Sequence, residues 1–215
     1  MDERERDELI KREKMKYNLL YMEDVKYGWK SGRPKTFLRG NDEVHNVVKD
    51  VLKRSNTMLD VGCGRGYFTN ALRIAFPHLQ ITYTDIAAKE IMKYRPDLDI
   101  IEASADNMHM FKNSQFDIVT HLDGMEHIPP EIEEQAIAEE IRVSKRYIYH
   151  QIAVHGVGRD KLWETRGLGK VHINVKSADQ WKKAFEHYAK KYKVKLLYIK
   201  DYRDWVHVLL EREES

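Results

Sequence analysis

The sequence predicts an α/β domain: a mostly parallel sheet of seven strands, helices on both faces, and an antiparallel hairpin at the C-terminal end. Three observations predict it. From residue 42 onward, short apolar runs alternate with stripes of helical period, the pattern of strands joined by crossover helices. A cluster of glycines follows the first apolar run directly. Only residues 200–204 separate the last two runs, a link too short for a crossover and long enough for a hairpin.

Each element follows from its residues. Residues 3–22 carry helix formers, with Leu9, Ile10, Tyr17, Leu19 and Leu20 set among charges, which suits a solvated surface helix with one weakly apolar stripe. Residues 11–40 hold nine basic and three acidic side chains, a local excess of six positive charges. Tyr27, Trp29 and Phe37 interleave with them around Gly28, Gly32 and Pro34, so a loop able to stack on or close over an anionic or planar ligand is expected.

Residues 42–54 form a helix with Val44, Val47, Val48, Val51 and Leu52 on one face, and residues 57–61 a buried strand. A helix follows over 66–76, a strand over 79–84, a helix near 87–94 and a strand over 98–102. The fourth strand spans 116–122; after Pro129 and Pro130 a helix runs over 131–142, then a strand over 146–152. Ser177 caps a helix to 191, and strands over 194–199 and 205–210 close the chain. Residues 154–171, with Gly156, Gly158, Gly167 and Gly169, form a long excursion of the kind that serves as a binding loop.

The 215 residues fit one large domain, so the chain divides into a helix-and-loop cap over 1–41 and the sheet domain over 42–215. With 42% hydrophobic and 33% charged residues the composition is globular, and a net charge of +2 announces no global affinity for nucleic acid. The single cysteine, Cys63, excludes an internal disulfide and a cysteine-based zinc site. Residues 1–22 are dense in charges where a secretory signal needs an apolar stretch, and no run is long enough to span a membrane. A cytoplasmic protein is expected.

The most specific signal is Asp60-Val61-Gly62-Cys63-Gly64-Arg65-Gly66 between the first strand and its helix. Glycines there permit a tight turn and let backbone amides approach a ligand that a Cβ would exclude. The segment resembles the first motif of class I S-adenosylmethionine-dependent methyltransferases, D/E-x-G-x-G-x-G, with its Rossmann-like sheet. Its spacing differs from the dinucleotide G-x-G-x-x-G, and Asp60 is expected to turn its charge toward a sulfonium donor. The resemblance implies that Gly62, Cys63, Gly64, Gly66 and Tyr67 surround S-adenosylmethionine, Cys63 serving as a small spacer. It further implies that Asp85, nineteen residues beyond Gly66, receives the ribose hydroxyls, with Ile86 beside it. In Ala105-Asp106-Asn107-Met108, Asp106 accepts from the adenine amine while Asn107 or Met108 flanks the ring. Leu122 and Asp123 end the fourth strand, facing the methyl group.

The segment from His121 to Pro130 contains Asp123, Glu126 and His127 and bears on the acceptor. His127 is the first candidate for a proton-accepting role, followed by His172 and Glu126. Asp123, Glu126, His127 and His172 are also similar to the E-x-x-E-H plus histidine set that holds a magnesium-type ion in 2′-O-methyltransferases acting on small-RNA 3′ ends. Two departures stand out: Asp123 replaces a glutamate, and the family's Phe-Glu-Trp after the last histidine is absent. Tyr149, His150, Gln151 and His155 follow the fifth strand and could line an acceptor pocket. The resemblance implies methyl transfer to an oxygen or nitrogen of a small metabolite. RNA reached through the basic segment is the second acceptor class, and a non-catalytic cofactor-binding module the third reading.

Overall fold

The computed structural model describes residues 1–23, 42–154 and 169–213. The expected aromatic-basic loop, His155 and most of the glycine-rich excursion lie outside them. The helices are α1 (Glu3–Glu23), α2 (Asp42–Arg54), α3 (Tyr67–Ala75), α4 (Ala88–Tyr94), α5 (Glu133–Val143) and α6 (Ala178–Tyr192). The strands are β1 (Thr57–Val61), β2 (Gln80–Asp85), β3 (Ile100–Glu102), β4 (Phe116–Leu122), β5 (Ser144–Ala153), β6 (Val194–Tyr202) and β7 (Trp205–Arg212). They form one seven-stranded sheet in the order β3-β2-β1-β4-β5-β7-β6.

Strands β1 to β5 pair in parallel, whereas β7 pairs antiparallel with both β5 and β6. The hairpin is tighter than expected, because β6 and β7 extend to Tyr202 and Trp205. Arg203 makes the reversal with φ 55°. Ser177 accepts from the Gln180 amide while the Gln180 side chain accepts from the Ser177 amide, so α6 starts with the expected cap in reciprocal form.

Apolar side chains fill both faces of the sheet. Trp181 and Phe185 of α6 pack with Ile137 of α5 against Val119 and Ile148 on one face. On the other, Val51 and Leu52 of α2 and Leu72 of α3 cover Met58, Ile118 and Leu209. Burying a side chain of this size contributes about 1.5–3 kcal/mol, which is why the sheet tolerates polar strand ends at only one rim. The chain leaves β1 toward β2 on one side, while β4 lies on the other. This reversal opens a crevice at the C-terminal strand ends, where Val61 pairs with His121.

Helix α1 departs from the solvated surface helix expected of it. Leu20 is wholly buried and packs with Val171, and Tyr21 and Glu13 are buried as well. The buried side of α1 is a mixed polar and aromatic one, Ile10, Glu13, Tyr17 and Tyr21, so apolar periodicity alone understates it. Those four side chains cover the crevice.

Candidate active site

A cavity of about 140 Å³ occupies the crevice. Its floor is Val61 and Gly62 after β1, Asp85 and Ile86 after β2, and His121 at the end of β4. Ala103, Ser104 and Ala105 form one wall, and Asp123, Gly124 and His127 with Ile128 and Pro129 the other. Ligand pockets commonly run to about 300–1,000 Å³, so the cavity is small, and α1 is what fills the remainder.

The glycine turn is held by named bonds. Gly62, Gly64 and Gly66 all have positive φ, a conformation that side chains with a Cβ rarely adopt. The Cys63 amide donates to the Thr84 carbonyl at 2.9 Å, and the Gly64 amide donates to Asp85 Oδ2 at 2.9 Å. Asp85 Oδ1 accepts from the Ala87 amide at 2.8 Å. One carboxylate thus fastens the turn to the end of β2, and with about four acceptor sites it retains capacity for a ligand hydroxyl. Burial raises the Asp85 pKa, and the two amides oppose the rise. The Cys63 thiol is pushed well above its ordinary range by burial and by Asp85 and Asp60, consistent with a spacer rather than a nucleophile.

Asp60 does not turn its charge toward the crevice. Its Oδ2 accepts from the Thr69 hydroxyl and its Oδ1 from the Thr120 hydroxyl at 3.2 Å, so it ties β1 to α3 and β4. Burial lifts its pKa to about 6 against those two bonds. The next residues reach the cavity in its place, Val61 at the end of β1 and Gly62 in the turn beyond it.

Asp106 is buried and accepts from Arg6 Nε of α1 at 2.6 Å and from the Ser104 hydroxyl. Asn107 contacts His109 Nδ1 at 2.9 Å through its Oδ1, and Met108 is wholly inside the core, so Met108 does not flank a ligand ring. Leu122 packs against the core on the α2 and α3 side. Gly66 borders Leu98, the space a Cβ would need. Tyr67 begins α3.

The methyltransferase domain family matches residues 58–146. A malonyl-[acyl-carrier protein] O-methyltransferase from Anoxybacillus flavithermus is 37% identical over 54 residues, 25% of this chain and 21% of that protein. A SAM-dependent methyltransferase from Methanosarcina mazei superposes with TM-score 0.58 at 16% identity, covering 83% of this chain and 100% of that one. Magnesium protoporphyrin IX methyltransferase from Synechocystis, solved with bound SAH, gives TM-score 0.55 at 17% identity, covering 80% and 82%. Residues 58–146 are thus similar to methyltransferase domains, and the fold is the one seen in S-adenosylmethionine-dependent methyltransferases.

The rim after β4 gathers Glu126, His127 and His172. Residues 125–127 form a 3-10 turn, and its Glu126 carbonyl accepts from the amides of Ile173 and Asn174, both at 3.0 Å. Those bonds bring His172 against His127, with ring centroids 4.6 Å apart. His127 Nδ1 donates to the Val171 carbonyl at 3.0 Å, which leaves Nε2 as its lone-pair atom. Burial, then the neighbouring His172, lowers the His127 pKa to about 3. Its imidazole is therefore neutral at pH 7, which suits a ligand better than a general base whose pKa should lie near the working pH.

One ligand atom each from Glu126, His127 and His172 lies within 4.8 Å of the others, and His127 Nε2 stands 4.0 Å from Glu126 Oε1. That separation exceeds a hydrogen bond, and an ion held at about 2.0–2.2 Å from each in tetrahedral geometry would draw the two atoms closer together. Asp123, the fourth residue of the expected set, is elsewhere. Its Oδ1 accepts from Gln151 Nε2 at 2.9 Å and Trp205 Nε1 at 3.0 Å, with φ 48° at its own backbone.

Tyr149 and His150 are buried in the sheet rather than at the cavity, Tyr149 hydroxyl lying 2.8 Å from His207 Nδ1. Sequence reasoning assigned no ligand role to Glu13, Tyr17 and Tyr21, whose i, i+4 spacing was the available signal. It gave no separate role to His121, which carried no signal apart from its place at a strand end.

Proposed function

We propose that the chain transfers the methyl group of S-adenosylmethionine to an oxygen or nitrogen of a small hydroxylated or amine-bearing metabolite. The observation that carries this reading is the glycine turn whose Gly64 amide and Asp85 carboxylate meet at the crevice between β1, β2 and β4. The residues fit the cofactor: positive-φ glycines give a backbone cradle, Asp85 lines the cavity and would receive the ribose hydroxyls, and Asp106, now paired with Arg6, would take the adenine amine. When bound, S-adenosylmethionine supplies an electrophilic methyl on sulfur, and alignment of an acceptor with it can lower the barrier by roughly 7–11 kcal/mol in favourable cases. The chain's own contribution is then to orient both partners and keep water out. Helix α1 serves as a cap over the crevice, and admission of the cofactor requires Arg6 to leave Asp106.

A second reading, a divalent-ion-assisted transfer to a ribose 2′-hydroxyl of RNA, is favoured by the Glu126, His127 and His172 cluster. One carboxylate and two neutral imidazoles suit a borderline divalent ion, which would bind hydroxyl oxygens and lower their pKa. Labelled S-adenosylmethionine should therefore be incubated with a metabolite extract and separately with total RNA, each with and without exhaustive chelation. The first reading predicts label in small molecules that survives chelation. Label confined to RNA and abolished by chelation would replace it with the second, and label in neither would support a non-catalytic cofactor-binding module.

A further inference from the structure

From the cavity floor His121 leads inward to a buried group that neither reading uses. His121, Glu140 and His150 are each almost wholly buried, and their ligand-type atoms lie within 4.8 Å of one another. His121 Nδ1 stands 2.7 Å from Glu140 Oε1, and His150 Nε2 stands 3.2 Å from Glu140 Oε2. A carboxylate buried between two imidazoles is costly unless it stays paired. Burial alone would raise the Glu140 pKa, yet His150 and His121 hold it down to about 2, so Glu140 is ionised at neutral pH.

An ionised Glu140 accepts, so the His121 Nδ1 that faces its Oε1 must donate. In the neutral His121 ring this places the proton on Nδ1 and the lone pair on Nε2. His150 approaches the other carboxylate oxygen with Nε2, although neither of its ring nitrogens makes a well-formed hydrogen bond among the described residues. The His121 ring edge that carries Nε2 turns the other way, to the cavity. A Cβ built on Gly62 would come within 3.3 Å of Nε2, and one built on Gly124 would clash with the ring edge, 2.2 Å from Nε2 and Cδ2. Two glycines therefore leave room for one nitrogen at the junction of the cofactor turn and the β4 rim.

We propose that His121 Nε2 is a specificity-determining hydrogen-bond acceptor that orients the methyl acceptor, and that Glu140 and His150 are positioning residues that fix its tautomer. This rests on the methyl-transfer reading and narrows it. A fixed lone pair facing the reacting atom favours an acceptor that brings its own hydrogen, a hydroxyl or the N–H of a neutral amine. It disfavours a carboxylate, whose lone pairs meet another lone pair. The acceptor class is thus alcohols, phenols or amines, and the products are methyl ethers or N-methyl compounds rather than methyl esters.

Two measurements on the full chain test this. The first labels a metabolite extract with S-adenosyl-[methyl-3H]methionine and treats the products with mild alkali, which releases methanol from esters only. Alkali-stable label is expected, and label recovered mainly as volatile methanol overturns the proposal. The second follows the 15N signals of His121 in the wild type and in Glu140→Gln, with S-adenosylhomocysteine affinity measured by calorimetry. The wild type should show the Nδ1–H tautomer. Glu140→Gln should weaken that preference and lower kcat at least tenfold, with affinity for S-adenosylhomocysteine held within about twofold. An Nε2–H tautomer in the wild type, or an unaltered kcat in a folded variant, overturns it. Failure of S-adenosylhomocysteine to bind the wild type would instead remove the underlying reading.

Discussion

At the scale of single residues, close approach governs this site more than charge does. Gly124 has φ −131°, a value open to any residue, so its need is for space and not for backbone freedom. The His121 ring occupies the volume where a Cβ would stand. Gly124→Ala should therefore displace that ring or strain the rim, at a cost of about 1–3 kcal/mol in stability. Thermal or urea unfolding measures this, and an unchanged midpoint would contradict the packing described. Asp60 illustrates the limit of reading charge from a motif. Its position in the glycine pattern was legible, but its direction depends on Thr69 and Thr120, nine and sixty residues away along the chain. Asp85, by contrast, sits where the end of a parallel strand must expose it, and the spacing from Gly66 was enough to place it.

At the scale of elements, the contacts of α1 are the ones with most bearing on function. Arg6 reaches Asp106, Lys14 pairs with Glu102, and the Tyr21 hydroxyl lies where a Gly64 Cβ would be 3.2 Å from it. On the proposed reading, a helix so placed would compete with the cofactor for Asp106. Exposed ion pairs are worth about 0–1 kcal/mol and a hydrogen bond to a buried charge somewhat more, so releasing this one should matter by a small factor. Arg6→Ala is expected to tighten S-adenosylhomocysteine binding by roughly threefold to tenfold in calorimetry. Weaker binding would mean that Arg6 clamps the ligand instead of competing with it. The strand and helix order was legible because period-two and period-3.6 patterns alternate cleanly from residue 42 onward. The role of α1 was not, since its buried side includes Glu13, Tyr17 and Tyr21, residues that a hydrophobicity pattern counts as surface or ambiguous.

At the scale of the whole molecule, the sheet order explains why residues from four separated segments meet. Reversal of chain direction between β2 and β4 on either side of β1 leaves a crevice at the strand ends, and Gly62, Asp85, His121, Asp123 and His127 all line it. Glu126, His127 and His172 reach the rim because the segment after residue 169 returns across the turn at 125–127. That return is a tertiary event, and only the resemblance of the histidine pattern hinted at it. The account stands on one property, that the crevice binds the methyl donor through the glycine turn and Asp85. Calorimetric titration of the full chain with S-adenosylhomocysteine tests it most directly. One site per chain is predicted, with affinity at least tenfold weaker in Asp85→Ala, whereas the absence of binding heat, or an Asp85→Ala variant that binds as tightly as the wild type, would contradict it.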